Sequence, residues 1–544
     1  MVTLIMLPLL LLPVMGFGQT IAVRGSVKDN SGAPIPGASV VVRGTSQVAV
    51  TDLDGNYSLK EVDPNGILYF SFIGMRTLET PVNGRQVIDV VLELDVSQLE
   101  EVVVVGYGTQ RKEAVTGSVA SVQGDVMREV ASSNITRALQ GRIAGVEMSQ
   151  TSSKPGSALQ IRIRGTRSLN ASNDPLIVLD GIPFSGSISD INPGNIKSID
   201  ILKDASATAI YGSRGANGVL LITTEKGYVG LKARVTYDGY VGLNTVFNPY
   251  PMMDNKEFVA LRSAVGMYTN GVDEDDNVNI DWQDLLYKNG VVTSHNVGVT
   301  GGTQKGNYTF GAGYYRDEAV LPGQDYTRIT LNGSLDQQIG KYFRFGFSTN
   351  NNFSVSNGDN LGIYGNLSAS PIANPYNDDG TLKRTVRMPL DENWVTTRES
   401  VDALGDKWID QNKAFGSYNN IFAEVKIPGV EGLKYRANLG LDFRTSSRGS
   451  YTGEGVFSST PTTESTASIT NSLTTHWLIE NILSYDRTFA DKHQLNVVAL
   501  YSAEQEHSNS SNIAVKDIPS DAFNYYNLCH SNFDITINPA YQNY

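Results

Sequence analysis

The chain has one cysteine, Cys529, among its 544 residues, so an intrachain disulfide framework is excluded. It has only five histidines, and none forms an H-E-x-x-H or similar close metal-binding pair. Charged residues make up 18% and the formal net charge is −13, which argues against nucleic-acid binding as the main role. Beyond the N-terminus, no apolar run reaches the ~18 residues that a membrane helix needs. Any membrane crossing must therefore use β-strands.

Glycine and tyrosine are abundant, with 53 and 26 residues, as is typical of β-rich proteins with many turns and aromatic belts. The first 14 residues are apolar, and Gly16 and Gly18 precede Gln19. This pattern predicts a signal peptide over residues 1–18. No lysine or arginine precedes the apolar run, which fits a start inside a longer signal sequence.

Residues 19–95 read as short strands separated by turns that are rich in glycine, proline and aspartate. Candidate strands lie at Val23–Val27, Ser39–Val42 and Leu68–Gly74. This spacing predicts a small β-sandwich. No histidine lies in this segment, and we interpret it as a non-catalytic module.

Four consecutive valines dominate the segment 96–112. Val102–Val105 is strongly β-prone, with acidic residues before it and Gly106-Tyr107-Gly108 after it. One interpretation is an ordinary core strand. The other is a short strand that pairs with the sheet edge of another protein.

Residues 113–228 predict an α+β domain with strands at 159–164 and 218–224 among others. A glycine cluster, Gly212, Gly215 and Gly218, stands near its end. The cluster lacks the Lys-Ser/Thr ending of a phosphate loop, so we interpret it as a set of tight backbone turns.

From residue 229 to 544, alternation of apolar and polar side chains dominates. Most runs are long enough to cross a bilayer as tilted strands, and tight connections alternate with long ones. This pattern predicts part of a transmembrane barrel, since a soluble sandwich does not explain such long strands. The predicted strands are 233–241, 294–301, 307–316, 326–336, 342–355, 419–427, 432–444, 474–487 and 493–505.

Over residues 21–527 the sequence resembles the SusC/RagA-type TonB-dependent outer-membrane transporters of Bacteroidetes. Four motifs carry the resemblance in the expected order: Gly32-x-Pro34-x-Pro36-Gly37-Ala38, typical of a carboxypeptidase-regulatory-like domain; the valine run with Gly106-Tyr107-Gly108; Ile161–Gly165 followed by Pro175–Gly181; and Ile210–Val219. The resemblance implies a mainly β fold, with a carboxypeptidase-regulatory-like β-sandwich, an α+β plug domain and an incomplete antiparallel transmembrane β-barrel.

The resemblance also implies site residues. The TonB box would consist of Glu101, Val102, Val103, Val104 and Val105. The plug motif would consist of Arg162, Arg164, Gly165, Asp180, Gly181, Tyr211, Gly212, Arg214, Gly215, Asn217 and Gly218. Arg162, Arg164 and Arg214 are candidates for ion pairs with the barrel wall, and pairing inside the plug is the alternative.

An acidic segment at 273–281 has oxygen-bearing side chains at alternate positions: Asp273, Asp275, Asn277 and Asp281. This spacing resembles a calcium loop, although Val278 stands where such loops have glycine. A solvated acidic loop is the alternative. No other cofactor is expected.

By resemblance, the function is energised uptake of an oligosaccharide or a peptide. The implied partners are TonB with ExbB and ExbD, a SusD-like lipoprotein and outer-membrane lipids, with the N-terminal domain and TonB box in the periplasm. Nucleic acid is not an expected partner, and no catalytic constellation indicates an enzyme. A surface binding or adhesion protein and a non-functional fragment are the alternatives.

The predicted strands fall well short of the ~22 of wide plugged barrels. The pattern fades after Leu528, and 535–544 shows no convincing strand. We therefore expect a truncated or frame-shifted product. Sequencing the downstream genomic region tests this expectation.

Overall fold

A computed structural model describes the chain over the following residues: 20–29, 32–45, 47–72, 75, 77–93, 102–105, 108–111, 119–124, 139–150, 152–157, 159–204, 208–227, 233–266, 269–303, 305–358, 361, 364–490, 493–530 and 533–543. The predicted signal peptide lies outside them. The chain divides into two compact units, residues 1–103 with 109–115 and residues 104–108 with 116–544.

The first unit contains the predicted β-sandwich. Its strands are β1 (Ile21–Asp29), β2 (Ser39–Val42), β3 (Val48–Val50), β4 (Asn56–Val62), β5 (Ile67–Ser71), β6 (Leu78–Pro81) and β7 (Val90–Leu92). One sheet has the order β4-β1-β7 and the other β3-β2-β5-β6. Val27, Val40 and Phe70 are fully buried between them. Apolar residues alternate with polar ones along the strands, so one face of each sheet is apolar.

The valine run is a strand, β8 (Val102–Val105), which pairs with β9 (Gly108–Arg111) in a two-stranded sheet. Three residues of this region lie outside the described residues: Glu101, which precedes the strand, and Gly106 and Tyr107, which join β8 to β9 in the sequence. The backbone of the valine strand therefore already has one strand partner.

The second unit begins with the predicted α+β domain. Its strands are β10 (Val119–Gln123), β11 (Val146–Gln150), β12 (Leu159–Ile163), β13 (Leu176–Leu179), β14 (Ile182–Pro183), β15 (Ile196–Leu202) and β16 (Val219–Thr224). The main sheet has the order β10-β15-β16-β13-β14, and β11 pairs with β12. Short 3₁₀ segments occur at Ile188–Asp190, Pro193–Asn195 and Ala209–Asn217.

A ten-stranded antiparallel sheet follows, and each strand pairs with the next along the chain. Short turns alternate with longer connections, as predicted. The first and last strands each have one partner among the described residues. The strands are β17 (Arg234–Asn244), β18 (Gly290–Thr303), β19 (Gly306–Glu318), β20 (Asp325–Ile339), β21 (Phe343–Asn357), β22 (Trp408–Lys426), β23 (Leu433–Thr452), β24 (Thr466–Phe489), β25 (His493–Lys516) and β26 (Phe533–Asn543).

The tenth strand corrects the expectation that residues 535–544 hold no strand. Phe533–Asn543 pairs with β25 from His507 to Lys516. Its sequence carries Pro539 and several polar residues, which weaken the alternation signal. The segment is a strand nonetheless, because its backbone pairs with that of β25.

Alternate side chains of the large sheet have different surroundings. On β20, Arg328 and Thr330 are buried, while Ile329 and Leu331 are 44% and 47% exposed. Exposed apolar side chains recur on other strands of the sheet, including Val235, Phe310, Phe353, Leu441 and Val497. An apolar face of this extent is typical of strands that contact lipid.

The two longest connections, 245–289 and 358–407, are folded. They contain α1 (Asn255–Val265), α2 (Trp282–Leu286), α3 (Tyr364–Leu367), α4 (Arg398–Leu404), the 3₁₀ turn Gly405–Lys407 and a hairpin of Thr385–Arg387 with Glu392–Trp394. A further 3₁₀ turn spans Leu528–His530. Within the described parts of the chain, no helix has the length and apolarity needed to cross a membrane.

Candidate functional site

Two residues of the plug motif form the turn between β13 and β14. Asp180 has φ 51° and Gly181 has φ 89°, the left-handed pair that a two-residue hairpin favours. The Asp180 carboxylate accepts hydrogen bonds from the Thr224 N–H at 3.0 Å and from its hydroxyl at 2.6 Å. Lys226 Nζ lies 3.6 Å away. The turn is therefore fastened to the end of β16.

Arg162 and Arg164 are paired inside the α+β domain. Arg162 Nη1 lies 2.5 Å from Asp174 Oδ1, and Arg164 is paired with Asp204. Gly165, at φ 86°, continues the left-handed turn that begins at Arg164. These two arginines follow the alternative interpretation, which is pairing within the plug.

The last motif, Tyr211 to Gly218, turns twice in the left-handed region of φ. Gly212 has φ 58° and interrupts the 3₁₀ segment, and Gly218 has φ 90°. A β-carbon on Gly215 would lie 2.8 Å from the Thr208 carbonyl oxygen. The Asn217 side chain donates to the Ser172 carbonyl at 2.8 Å. Backbone geometry thus accounts for these glycines.

Arg214 reaches the large sheet. Its Nη1 donates to Glu504 Oε2 on β25 at 2.7 Å. A second contact lies nearby, where the Ser185 hydroxyl donates to Asp442 Oδ2 on β23 at 2.5 Å. His476 on β24 stands between the two acceptors, with Nδ1 2.9 Å from Asp442 and Nε2 3.8 Å from Glu504. Two contacts of the α+β domain therefore converge on one histidine.

Uncharged groups make further contacts between the domain and the sheet. Asn192 donates to Asn296 on β18 at 2.7 Å, and Asn195 donates to Asn332 on β20 at the same distance. The Gly227 N–H donates to Thr309 on β19 at 3.1 Å. Sequence reasoning missed these residues, because alternation predicts which strand positions are polar but not what they meet.

These contacts are individually modest. A neutral hydrogen bond contributes ~1 kcal/mol, and a partly exposed ion pair such as Arg214–Glu504 contributes less than that in most cases. The contacts also lie on different strands. The interface therefore holds the domain in place while allowing its contacts to be broken one after another.

The acidic segment 273–281 is not simply solvated. Asp273 lies 2.9 Å from Arg387 Nε and 3.0 Å from Lys383 Nζ. Asp281 caps α2, and Asp275 accepts from the Asn277 N–H at 2.9 Å. Among the residues that the structure describes, no group of three or more acidic, histidine or cysteine side chains could hold a metal. Calcium binding stays a prediction.

Asp273 predicts an acid-sensitive contact between the two long connections. Burial opposes its ionisation, but hydrogen bonds from Arg387 and Lys383 outweigh burial and lower its pKa from 3.8 to about 2. The ion pairs therefore stabilise the connections above pH 3.8, and this contribution is lost as the pH falls towards 2. The protection of the amides of segment 273–288 against hydrogen exchange, relative to their intrinsic rate at each pH, should fall over that interval.

Asp273→Asn should lack this protection across the whole interval, while Asp378→Asn, an exposed change in the connection 358–407, should keep the pH dependence of the unaltered chain. An Asp273→Asn chain that keeps this dependence would show that another group controls it.

Comparison with known proteins agrees with the resemblance seen in the sequence. Residues 111–219 match the TonB-dependent Receptor Plug Domain family, and residues 23–104 match the CarboxypepD_reg-like domain family. The chain is 32% identical over 526 residues to TonB-dependent receptor P3 of Formosa agariphila, covering 93% of this chain and 50% of that protein. It is 36% identical over 459 residues to TonB-dependent receptor SusC of Bacteroides thetaiotaomicron, covering 81% and 44%.

Among solved structures, the RagAB peptide importer in its "open-open" state superposes with a TM-score of 0.72 at 24% identity, over 82% of this chain and 53% of that one. This likeness shows the fold. The chain spans about half the length of the curated relatives it matches. Over the part of their length that it spans, the chain is a homologue of the TonB-dependent receptors P3 and SusC, with a TonB-dependent receptor plug domain and a CarboxypepD_reg-like domain.

Proposed function

We propose that the protein imports a bulky nutrient, an oligosaccharide or a peptide, across the outer membrane with energy delivered by TonB. The observation that carries the proposal is the order of the domains along the chain. A short β-strand, Val102–Val105, precedes a plug that many weak contacts hold to the ten-stranded sheet, which we call the wall sheet. A plug attached in this way can be displaced by force applied to the strand. In this proposal, the TonB box and the N-terminal domain lie in the periplasm.

TonB, driven by ExbB and ExbD, would engage the valine strand by β-augmentation, in which the backbone of one protein extends the sheet of another. The strand would first exchange its present partner, β9. The contacts between the plug and the wall sheet would then break one after another, beginning where the force is applied. No catalytic step forms part of this proposal, and the named relatives are receptors.

A SusD-like lipoprotein at the cell surface would hold the nutrient against the extracellular loops. The support for this partner is the similarity to SusC and RagAB. The choice between an oligosaccharide and a peptide rests on the same similarity, since one structural neighbour is a peptide importer.

Uptake of labelled nutrient by cells that produce the protein tests the proposal. Libraries of oligosaccharides and peptides should show one class accumulating in the periplasm, and dissipation of the proton-motive force should stop accumulation without removing surface binding. Accumulation that persists without the proton-motive force would contradict energised import. Surface binding with no accumulation under any condition would favour a binding protein.

A further inference from the structure

The long connections 245–289 and 358–407 form one loop module with its own interior. Trp282 is buried with Ala373, Val386 and Val395. The Ile280 N–H donates to the Pro371 carbonyl at 2.8 Å, and the Trp282 indole N–H donates to the Ser370 carbonyl at 3.0 Å. These contacts join the two connections and fix their relative position. Any site between them is therefore built before a ligand arrives.

A groove of about 460 Å³ opens between the two connections. Apolar side chains form much of its wall, among them Tyr250, Met252, Met253, Phe258 and Trp282. Tyr250, Met252 and Met253 are 64%, 51% and 47% exposed. Methionine is flexible and polarisable, so it adapts to apolar ligands of different shape. The groove thus offers an accessible and adaptable apolar surface.

Several polar groups that line the groove are engaged in holding the module together. Gln283 is 6% exposed, and its side chain accepts from the Tyr250 N–H and donates to the Tyr250 carbonyl. Asp254 caps α1, and Asp281 caps α2. Asn366 donates to the Thr396 carbonyl at 2.7 Å. A ligand rich in hydroxyl groups would compete with these bonds, so the groove favours apolar side chains.

The rim of the groove is acidic. Asp254 and Asp281 line the groove and are exposed, and neither has an ion-pair partner in the described part of the chain. Both carboxylates accept hydrogen bonds from the backbone at the start of a helix, which fixes their positions. Of the two cations of α1, Arg262 is paired with the buried Glu274, and Lys256 is exposed two residues from Asp254.

We propose that this groove binds a free cationic peptide, with apolar side chains in the groove and basic side chains against the acidic rim. The volume suits a small ligand, since such sites commonly measure ~300–1,000 Å³. A protein partner would instead cover ~800 Å² of each surface. The inference concerns binding alone and goes beyond the proposed transport, so it holds or fails without TonB.

Fluorescence polarisation with the purified full chain in detergent tests the proposal, using three labelled hexapeptides. One alternates lysine and leucine, one alternates glutamate and leucine, and one alternates lysine and serine. The lysine–leucine peptide should bind about tenfold more tightly than either of the others, and its affinity should fall as salt rises. Equal affinities of the three peptides would overturn the proposal.

Two variants locate the binding. Met252→Ser with Met253→Ser should weaken the lysine–leucine peptide about tenfold. Asp254→Asn with Asp281→Asn, which keeps a capping residue at each helix, should weaken it while reducing its salt dependence. Leu390→Ser, at a 70% exposed apolar residue that is not among the groove's lining, is the matched control and should bind normally. Resistance to trypsin shows that each variant is folded. Normal binding by both groove variants would place the peptide elsewhere and overturn the proposal.

Discussion

Deleting Glu101–Val105 is expected to abolish energised uptake and to leave binding of nutrient at the cell surface unchanged. The deletion removes β8, the strand that we propose TonB engages, and touches no residue of the plug or the wall sheet. Binding survives because the extracellular loops remain. Uptake fails because no force reaches the plug. Cells that carry the deletion should therefore bind labelled nutrient normally and accumulate none.

A point substitution separates loss of the strand from loss of its local partner. Val103→Pro removes a backbone N–H from the valine strand and should reproduce the deletion. Thr109→Pro disrupts β9 but leaves all four valines, so uptake should persist. Unchanged uptake in the deletion would defeat the transport proposal. Equal loss in both proline variants would mean that the paired form, rather than the free strand, is required.

Gly218→Ala is expected to destabilise the plug by about 2–6 kcal/mol. Gly218 has φ 90°, where an L-residue is strained by ~1–3 kcal/mol. A β-carbon there would also lie 2.7 Å from Ile163 Cδ1, and overpacking adds a further ~1–3 kcal/mol. Hydrogen exchange of the β16 amides, Val219–Thr224, should accelerate accordingly.

Gly165→Ala is the matched control, because Gly165 has φ 86° and no atom lies within 4 Å of its added β-carbon. It should show the backbone strain without the overpacking. Ile163→Val, which removes Cδ1, should recover part of the stability lost in Gly218→Ala. If both alanine variants cost the same and Ile163→Val recovers nothing, packing against Ile163 is not the reason for glycine at 218.

Sequence reasoning predicted the sandwich, the plug and the membrane sheet, because each has a pattern of its own. The alternation of apolar and polar side chains along β20 or β23 depends only on which face of the strand meets lipid. Strand ends were predicted poorly: β22 begins at Trp408, well before the expected residue 419. Beyond the membrane both faces of a strand meet water, so the alternation disappears while the hydrogen bonding continues.

The contacts that position the plug were harder to predict. Arg214 was a candidate for an ion pair with the barrel wall. Nothing in the sequence around it distinguishes it from Arg162 and Arg164, which pair within the plug. Ser185 and Asn192 gave no signal, since small polar residues are common in turns. Which of these side chains reaches the wall depends on tertiary placement. The ion pair of Asp273 likewise depends on Arg387, which lies more than a hundred residues along the chain.

The paired strands β24 and β25 have 24 residues each. At ~3.3 Å per residue such a strand is about 80 Å long. Tilted by ~45°, it rises about 55 Å, against an apolar band of ~25 Å. The exposed apolar side chains lie between Leu473 and Tyr501, around the turn that joins the strands. The more polar ends of the two strands therefore extend beyond the bilayer as a continuous part of the sheet, paired there with β23 on one side and β26 on the other.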